Sequence, residues 1–258
     1  MATTVPATIT IEEDPFMQIA RRAYPRSASS SETTPAGALF AQIPQKIYFP
    51  KRKLMVTSLP LNDEYTQRVL SKTYQTWIEN ARKKKKDEPE KKFRLIYSSL
   101  IETAKDAKGY MSQMHRTAGV YYNQILICSD VACREIQAAV LVNEKKLPTG
   151  QTCIEIVNLV SNPNNVRTQQ NTSESRRVEG AARALLDHVV AHSPLECKKI
   201  FLESEPSAVE FYQKYGFHLK DEDAKPPYPQ VMDMTLTAEQ IHTLMQTKLL
   251  TVKCYKEI

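Results

Sequence analysis

The sequence lacks most of the features that would fix a function outright. No apolar run approaches the roughly 20 residues that a membrane-spanning helix needs. The amino terminus has neither the charged start nor the apolar stretch of a secretory signal. Cysteine is sparse: Cys128, Cys133, Cys153, Cys197 and Cys254 are odd in number and have no zinc-type spacing. That argues against a disulfide scaffold and predicts reduced, mostly buried thiols in a cytoplasmic compartment. The five histidines are scattered. His188 and His192 stand at i, i+4, but neither a third ligand nor an HExxH pattern accompanies them, so no metal site is expected. A Walker loop and a G-x-S-x-G elbow are both missing.

The chain of 258 residues is 41% hydrophobic, enough for one large packed domain with appendages. Its net charge of +6 permits an anionic cofactor or partner without demanding nucleic acid. The densest basic run, RKKKKDEPEKK over residues 82–92, has no interleaved aromatics to stack on bases. It reads first as a solvated loop or frayed helix end, and a nucleic-acid surface is the least favoured reading. Residues 1–46, with SASSSETTPAG at 27–37, have little to bury. They are read as a flexible leader with one short helix near 15–24, either bland or serving targeting or secretion, ahead of a folded domain over 47–258.

Along that domain the pattern predicts a first strand at 53–56 and an amphipathic helix from Leu61 to about Lys83, with Val69, Leu70, Tyr74, Trp77 and Ile78 on its apolar side. A second helix follows over 93–107, then a loop or broken helix over 109–119. Residues 120–129 and 136–143 read as a hairpin and 152–161 as the next strand, making three antiparallel strands. Val178, Ala182, Leu185, Leu186 and Val189 give one face of a helix. A short strand at 199–202, a helix at 207–215 closed by Gly216, a strand at 228–236 and a helix to about Leu250 complete the chain.

The stretch with chemical content is Arg177-x-x-Gly180-x-Ala182, which begins a helix after a strand and a polar loop. Unpaired N–H groups and a partial positive charge at a helix start favour an anion, and small residues let a phosphate come close. Arg177 adds a charge-assisted bond. Small residues there also serve close packing on a sheet, so the motif by itself leaves both readings open.

Taken together, the strand ending in Asn162-Pro163, the R-x-x-G-x-A start, Phe201-Leu202-Glu203, and then Ala208-x-x-Phe211-Tyr212-x-Lys214-x-Gly216-Phe217 resemble the GNAT superfamily of acetyl-CoA-dependent N-acetyltransferases. The resemblance spans about 47–236 and is specific over 152–217. It implies an α+β fold of three layers, with a mixed, mostly antiparallel twisted sheet flanked by helices. It also implies acetyl-CoA as co-substrate and an amine acceptor, small molecule or protein. By the same resemblance, Leu159, Val160 and Ser161 would meet the pantetheine arm, and Arg177, Val178, Glu179, Gly180, Ala181 and Ala182 the pyrophosphate. Tyr212 would protonate the departing thiolate, and Glu155 would draw a proton from the amine. The residues themselves leave room for a core role for Tyr212 and for a solvent-facing or lysine-paired Glu155. Here RTQQNTSESR lengthens the phosphate loop, and Glu205 stands where the family often has asparagine. A catalytically silent GNAT fold acting as a binding module is the alternative reading.

Overall fold

The computed structural model describes residues 46–49, 53–59, 64–117, 122–131, 135–146, 149, 151–166, 168, 178–194, 196–221, 223–226 and 231–252. The leader, Arg177 and most of the 167–177 stretch lie outside them. Eight strands form one sheet in the order β1-β2-β3-β4-β5-β6-β8-β7. They are β1 (Lys46–Phe49), β2 (Leu54–Leu59), β3 (Tyr122–Asp130), β4 (Ile136–Lys146), β5 (Thr152–Ser161), β6 (Lys199–Ser204), β7 (His218–Leu219) and β8 (Met232–Thr237). Among the described residues only the β5–β6 pair is parallel; the other neighbouring pairs are antiparallel. The expected three-layer α+β architecture is what the chain adopts, with β1 added before the first expected strand, so that five strands rather than four lead to the parallel step.

The helices are α1 (Glu64–Asp87), α2 (Lys91–Thr117), α3 (Ala181–Ala191), α4 (Val209–Tyr215) and α5 (Ala238–Val252). The helices α1 and α2 cover one face, where Leu70, Tyr74, Trp77, Tyr97, Ile101 and Met111 pack on Ile125, Ile127 and Val160. On the other face Leu185, Leu186, Val189 and Ile241 meet Leu126, Val140, Ile154, Ile156 and Leu202. β5 feeds α3, which returns the chain to β6, the crossover that a parallel pair requires.

Two expected boundaries were too short. α1 runs through Lys83–Lys86 to Asp87 because lysine is a good helix former and solvates freely; it stops two residues before Pro89, which disfavours helix at the residue preceding it. α2 continues past Gly109 to Thr117, with Ala104, Ala107 and Met111 buried against α1. A glycine costs a helix about 1 kcal/mol, less than such a packed face returns. α3 begins at Ala181, later than the sequence pattern suggests, with Val178 and Glu179 still in the loop. Among the described residues Cys128, Cys153 and Cys197 are buried and in no disulfide, and burial pushes the Cys197 thiol up to about 11.

One buried pair makes stability depend on pH. His188 is fully enclosed on α3, both its ring nitrogens lack a partner among the described residues, and its ring lies 4.3 Å from that of His192. Burial, with the neighbouring His192, holds the His188 pKa well below the ordinary imidazole value, and burial lowers His192 too. Because the folded-state pKa is depressed, the stability linked to this group is complete above the unfolded value of about 6.5 and is lost as pH falls below it. Each further pH unit costs about 1.4 kcal/mol per histidine until the folded-state value is reached. The denaturant midpoint is therefore expected to fall between pH 7.5 and 5.5, and H188L to flatten that slope. An unchanged midpoint in the native chain would contradict it.

Candidate acyl-carrier groove

The groove arises where the sheet parts. β5 and β6 pair over Cys153↔Lys199, Ile154↔Ile200, Glu155↔Phe201 and Ile156↔Leu202, and there the ladder ends. On its other side β5 stays paired to β4 as far as Ser161, and β6 stays paired to β8 as far as Ser204. The two strands therefore diverge, and among the described residues no strand lies beside the β6-facing edge of β5 beyond Ile156. A groove of about 610 Å³ occupies the gap, within the range of ligand sites.

A bulge sets the divergence. Leu141 pairs with Asn158 and Val142 with Ile156, which leaves Val157 as the extra residue on β5. A bulge bends its strand and reverses which side chains face which layer. Ile154 and Ile156 accordingly join the α3 core, whereas Val160, two residues on from Asn158, is buried under α2. Asn158 also faces α2, its Nδ2 donating to the Thr103 carbonyl at 3.1 Å.

The opposite end of the groove is the start of α3. Gly180 has φ 80° and ψ 12°, a left-handed conformation that favours glycine. It offers no side-chain cap, and Ala181, Ala182 and Arg183, whose N–H groups head the helix, all line the groove. Tyr212 forms part of the wall beside Ala208 and Phe211. The residue is only 7% exposed, its ring edge-on to Phe211 at 5.1 Å and to Phe217 at 5.6 Å. Burial raises its phenol well above the ordinary range, so the hydroxyl keeps its proton. Tyr212 is thus a buried aromatic that also lines the groove. On α4 the turn ends at Gly216, φ 122°, whose N–H bonds the Tyr212 carbonyl at 3.1 Å.

Of the residues singled out from sequence, Leu159, Ser161, Val178, Glu179, Gly180, Ala181, Ala182 and Tyr212 line this one groove. Val160 does not; its side chain is buried under α2. Glu155 is not in the lining either. It sits below the parting point, where its Oε2 lies 2.7 Å from Lys145 Nζ and accepts from Asn143 Nδ2 at 3.0 Å. Lys145 and Lys199 flank the neighbouring Phe201 ring at 5.6 and 5.0 Å. Lysine pairing was the plainer of the two readings of Glu155, and it is the one the structure places there. Sequence reasoning missed Asn158, whose polarity inside Val157-Asn158-Leu159-Val160 was the available signal, and Asn165, whose partner is far along the chain.

Residues 169–238 match the family described as the acetyltransferase (GNAT) domain. The matched stretch takes in α3, β6, α4 and β8, the helix start and wall of the groove. No curated protein matches the chain. Among solved structures, the chain is similar to an aminoglycoside N(6′)-acetyltransferase from Legionella pneumophila, at 13% identity, covering 74% of this chain and 95% of that one, TM-score 0.43. It is also similar to the NatC complex bound to Gag peptide and CoA, at 13% identity, covering 72% and 98%, TM-score 0.41. Arabidopsis thaliana Naa50 with a bisubstrate analogue is a third, at 18% identity, covering 44% and 72%, TM-score 0.31.

Proposed function

We propose that the chain is an N-acetyltransferase that takes its acetyl group from acetyl-CoA and passes it directly to an amine. One observation carries the reading: the parting of β5 from β6 opens onto the uncapped start of α3, and Tyr212 stands in the wall between. The diphosphate of the carrier would sit on the N–H groups of Ala181 and Ala182, with Gly180 allowing close approach. The pantetheine arm would take the place of the missing strand along Leu159 to Ser161, and a β5 N–H would meet the thioester oxygen as charge develops. The attacking amine forms the new C–N bond, the C–S bond breaks, and Tyr212 supports the sulfur that leaves.

The amine must shed a proton, and water in the groove is the acceptor that fits this arrangement, since Glu155 is occupied by Lys145 and Asn143. Glu155→Gln is therefore expected to change kcat/KM by no more than about twofold, as loss of a partly exposed ion pair would. A hundredfold loss would restore Glu155 as the base.

The second reading, a silent GNAT fold that binds without turnover, draws support from Glu179, Glu203 and Glu205 in the groove wall, charges of the same sign as the diphosphate. Calorimetric titration with acetyl-CoA tests the carrier site; an enzyme is expected to bind at micromolar affinity or better. Thiol release with a panel of primary amines (peptide amino termini, lysine, aminosugars, polyamines) separates the two readings. Tight binding with no release from any amine would favour the silent fold.

A further inference from the structure

We infer that Asn165 is a positioning residue for the diphosphate seat, clamping the returning end of the long phosphate loop so that the first N–H groups of α3 face the groove. The inference rests on the acetyl-CoA reading above. Asn165 ends a 3₁₀ turn, Pro163–Asn165, that follows β5 directly and is capped by the Asn162 carboxamide. Its side chain works in two directions. The Oδ1 atom accepts the Val178 N–H at 3.0 Å, across 13 residues of sequence. The Nδ2 atom donates to Gln137 Oε1 at 3.0 Å and, more loosely, to the Gln137 carbonyl at 3.5 Å. Gln137 is itself buried on β4, and its carbonyl also accepts the Asn162 N–H at 2.9 Å.

The loop that leaves the sheet at Val166 is thus tied back at Val178, two residues before Gly180, to a support rooted in the sheet. A carboxamide suits this place because it accepts with one atom and donates with the other, which a carboxylate, an ammonium or a methyl group cannot do. Loop closure is entropically costly, so a loop this long would otherwise sample many positions of its returning end. The clamp removes that freedom before the carrier arrives, and preorganisation of this kind appears as affinity. It also gives the lengthened loop a physical account: the residues between the two clamp points can vary without moving Gly180.

The test compares two carriers on the full chain. Acetyl-CoA contains the diphosphate; S-acetylpantetheine lacks it and keeps the arm and thioester. Dissociation constants are measured for both, by calorimetry and by ligand-observed NMR, on the native chain and on Asn165→Ala. The ratio of acetyl-CoA affinity to S-acetylpantetheine affinity is expected to fall about tenfold in the variant, the size of one lost hydrogen bond in a buried setting. If both affinities fall together, Asn165 acts on the fold at large and the clamp is refuted; if neither falls, the clamp is refuted as well. Should the alanine variant not accumulate folded, Asn165→Ser is measured in the same way. A native chain that takes up no acetyl-CoA would overturn the acetyl-CoA reading and the clamp together, an outcome distinct from unchanged binding in the variant alone.

Discussion

Tyr212→Phe is expected to lower acetyl transfer about a hundredfold while leaving acetyl-CoA affinity within about twofold. The ring stays where it is, because its edge-on contacts with Phe211 and Phe217 involve carbon alone. Melting temperature and carrier binding should therefore barely move, and the whole effect falls on the hydroxyl. That hydroxyl remains protonated because burial raises its pKa. A thiolate, with a conjugate acid near pKa ~8.5, is a weaker base than such a phenolate. The phenol therefore need not surrender its proton outright; it donates a hydrogen bond that strengthens as negative charge gathers on sulfur. It follows that kcat should show no alkaline fall from Tyr212 up to about pH 10, since the phenol ionises only above its ordinary value. Thiol release with the fastest amine of the panel measures both quantities. Activity within about threefold of native would remove the hydroxyl from the reaction.

Gly180→Val is expected to weaken acetyl-CoA binding about a hundredfold. At φ 80° a β-branched residue is strained by about 1–3 kcal/mol, enough to push the backbone toward another region. The N–H groups of Ala181 and Ala182 would then turn from the groove, and the new branch would occupy the closest approach to the phosphates. Gly180→Ala keeps the strain in smaller measure and should cost about tenfold. The melting temperature should fall by only about 2–6 °C, because the strain is confined to one loop residue. Calorimetry and a thermal melt on the same samples separate the two effects, and native-like affinity in the valine variant would show that the carrier does not rest on this helix start.

These effects concentrate on residues that were legible in the sequence, and the reasons are physical. Gly180 and Gly216 stand out because positive φ is scarcely open to other residues, and Tyr212 because an aromatic beside a chain reversal must pack. The register of β5 was not legible. Its alternating apolar pattern runs on past Ile156, while the extra residue at Val157 switches the faces beneath it, and a bulge leaves little trace in hydropathy. Glu155 was placed near the chemistry by its strand; its partners, Asn143 directly opposite on β4 and Lys145 diagonally across, are brought to it only by the fold. The short β7 was missed because two residues, His218 and Leu219, are too few to show a period. Asn165 is one polar residue among several in its loop, and only the fold brings Val178 back to it.

The four rungs between Cys153–Ile156 and Lys199–Leu202 act as the spine of a book whose pages are the strands β1–β5 and β6–β8. The angle between the pages is held from behind, where α3 rests on one page, α5 on the other, and the two helices press against each other. Loosening that backing, as Leu185→Ala would, changes how wide the book stands before any rung breaks. Damage far from the groove would then first show as a weaker grip on whatever lies between the pages, in a molecule that by every measure of secondary structure is still closed along its spine.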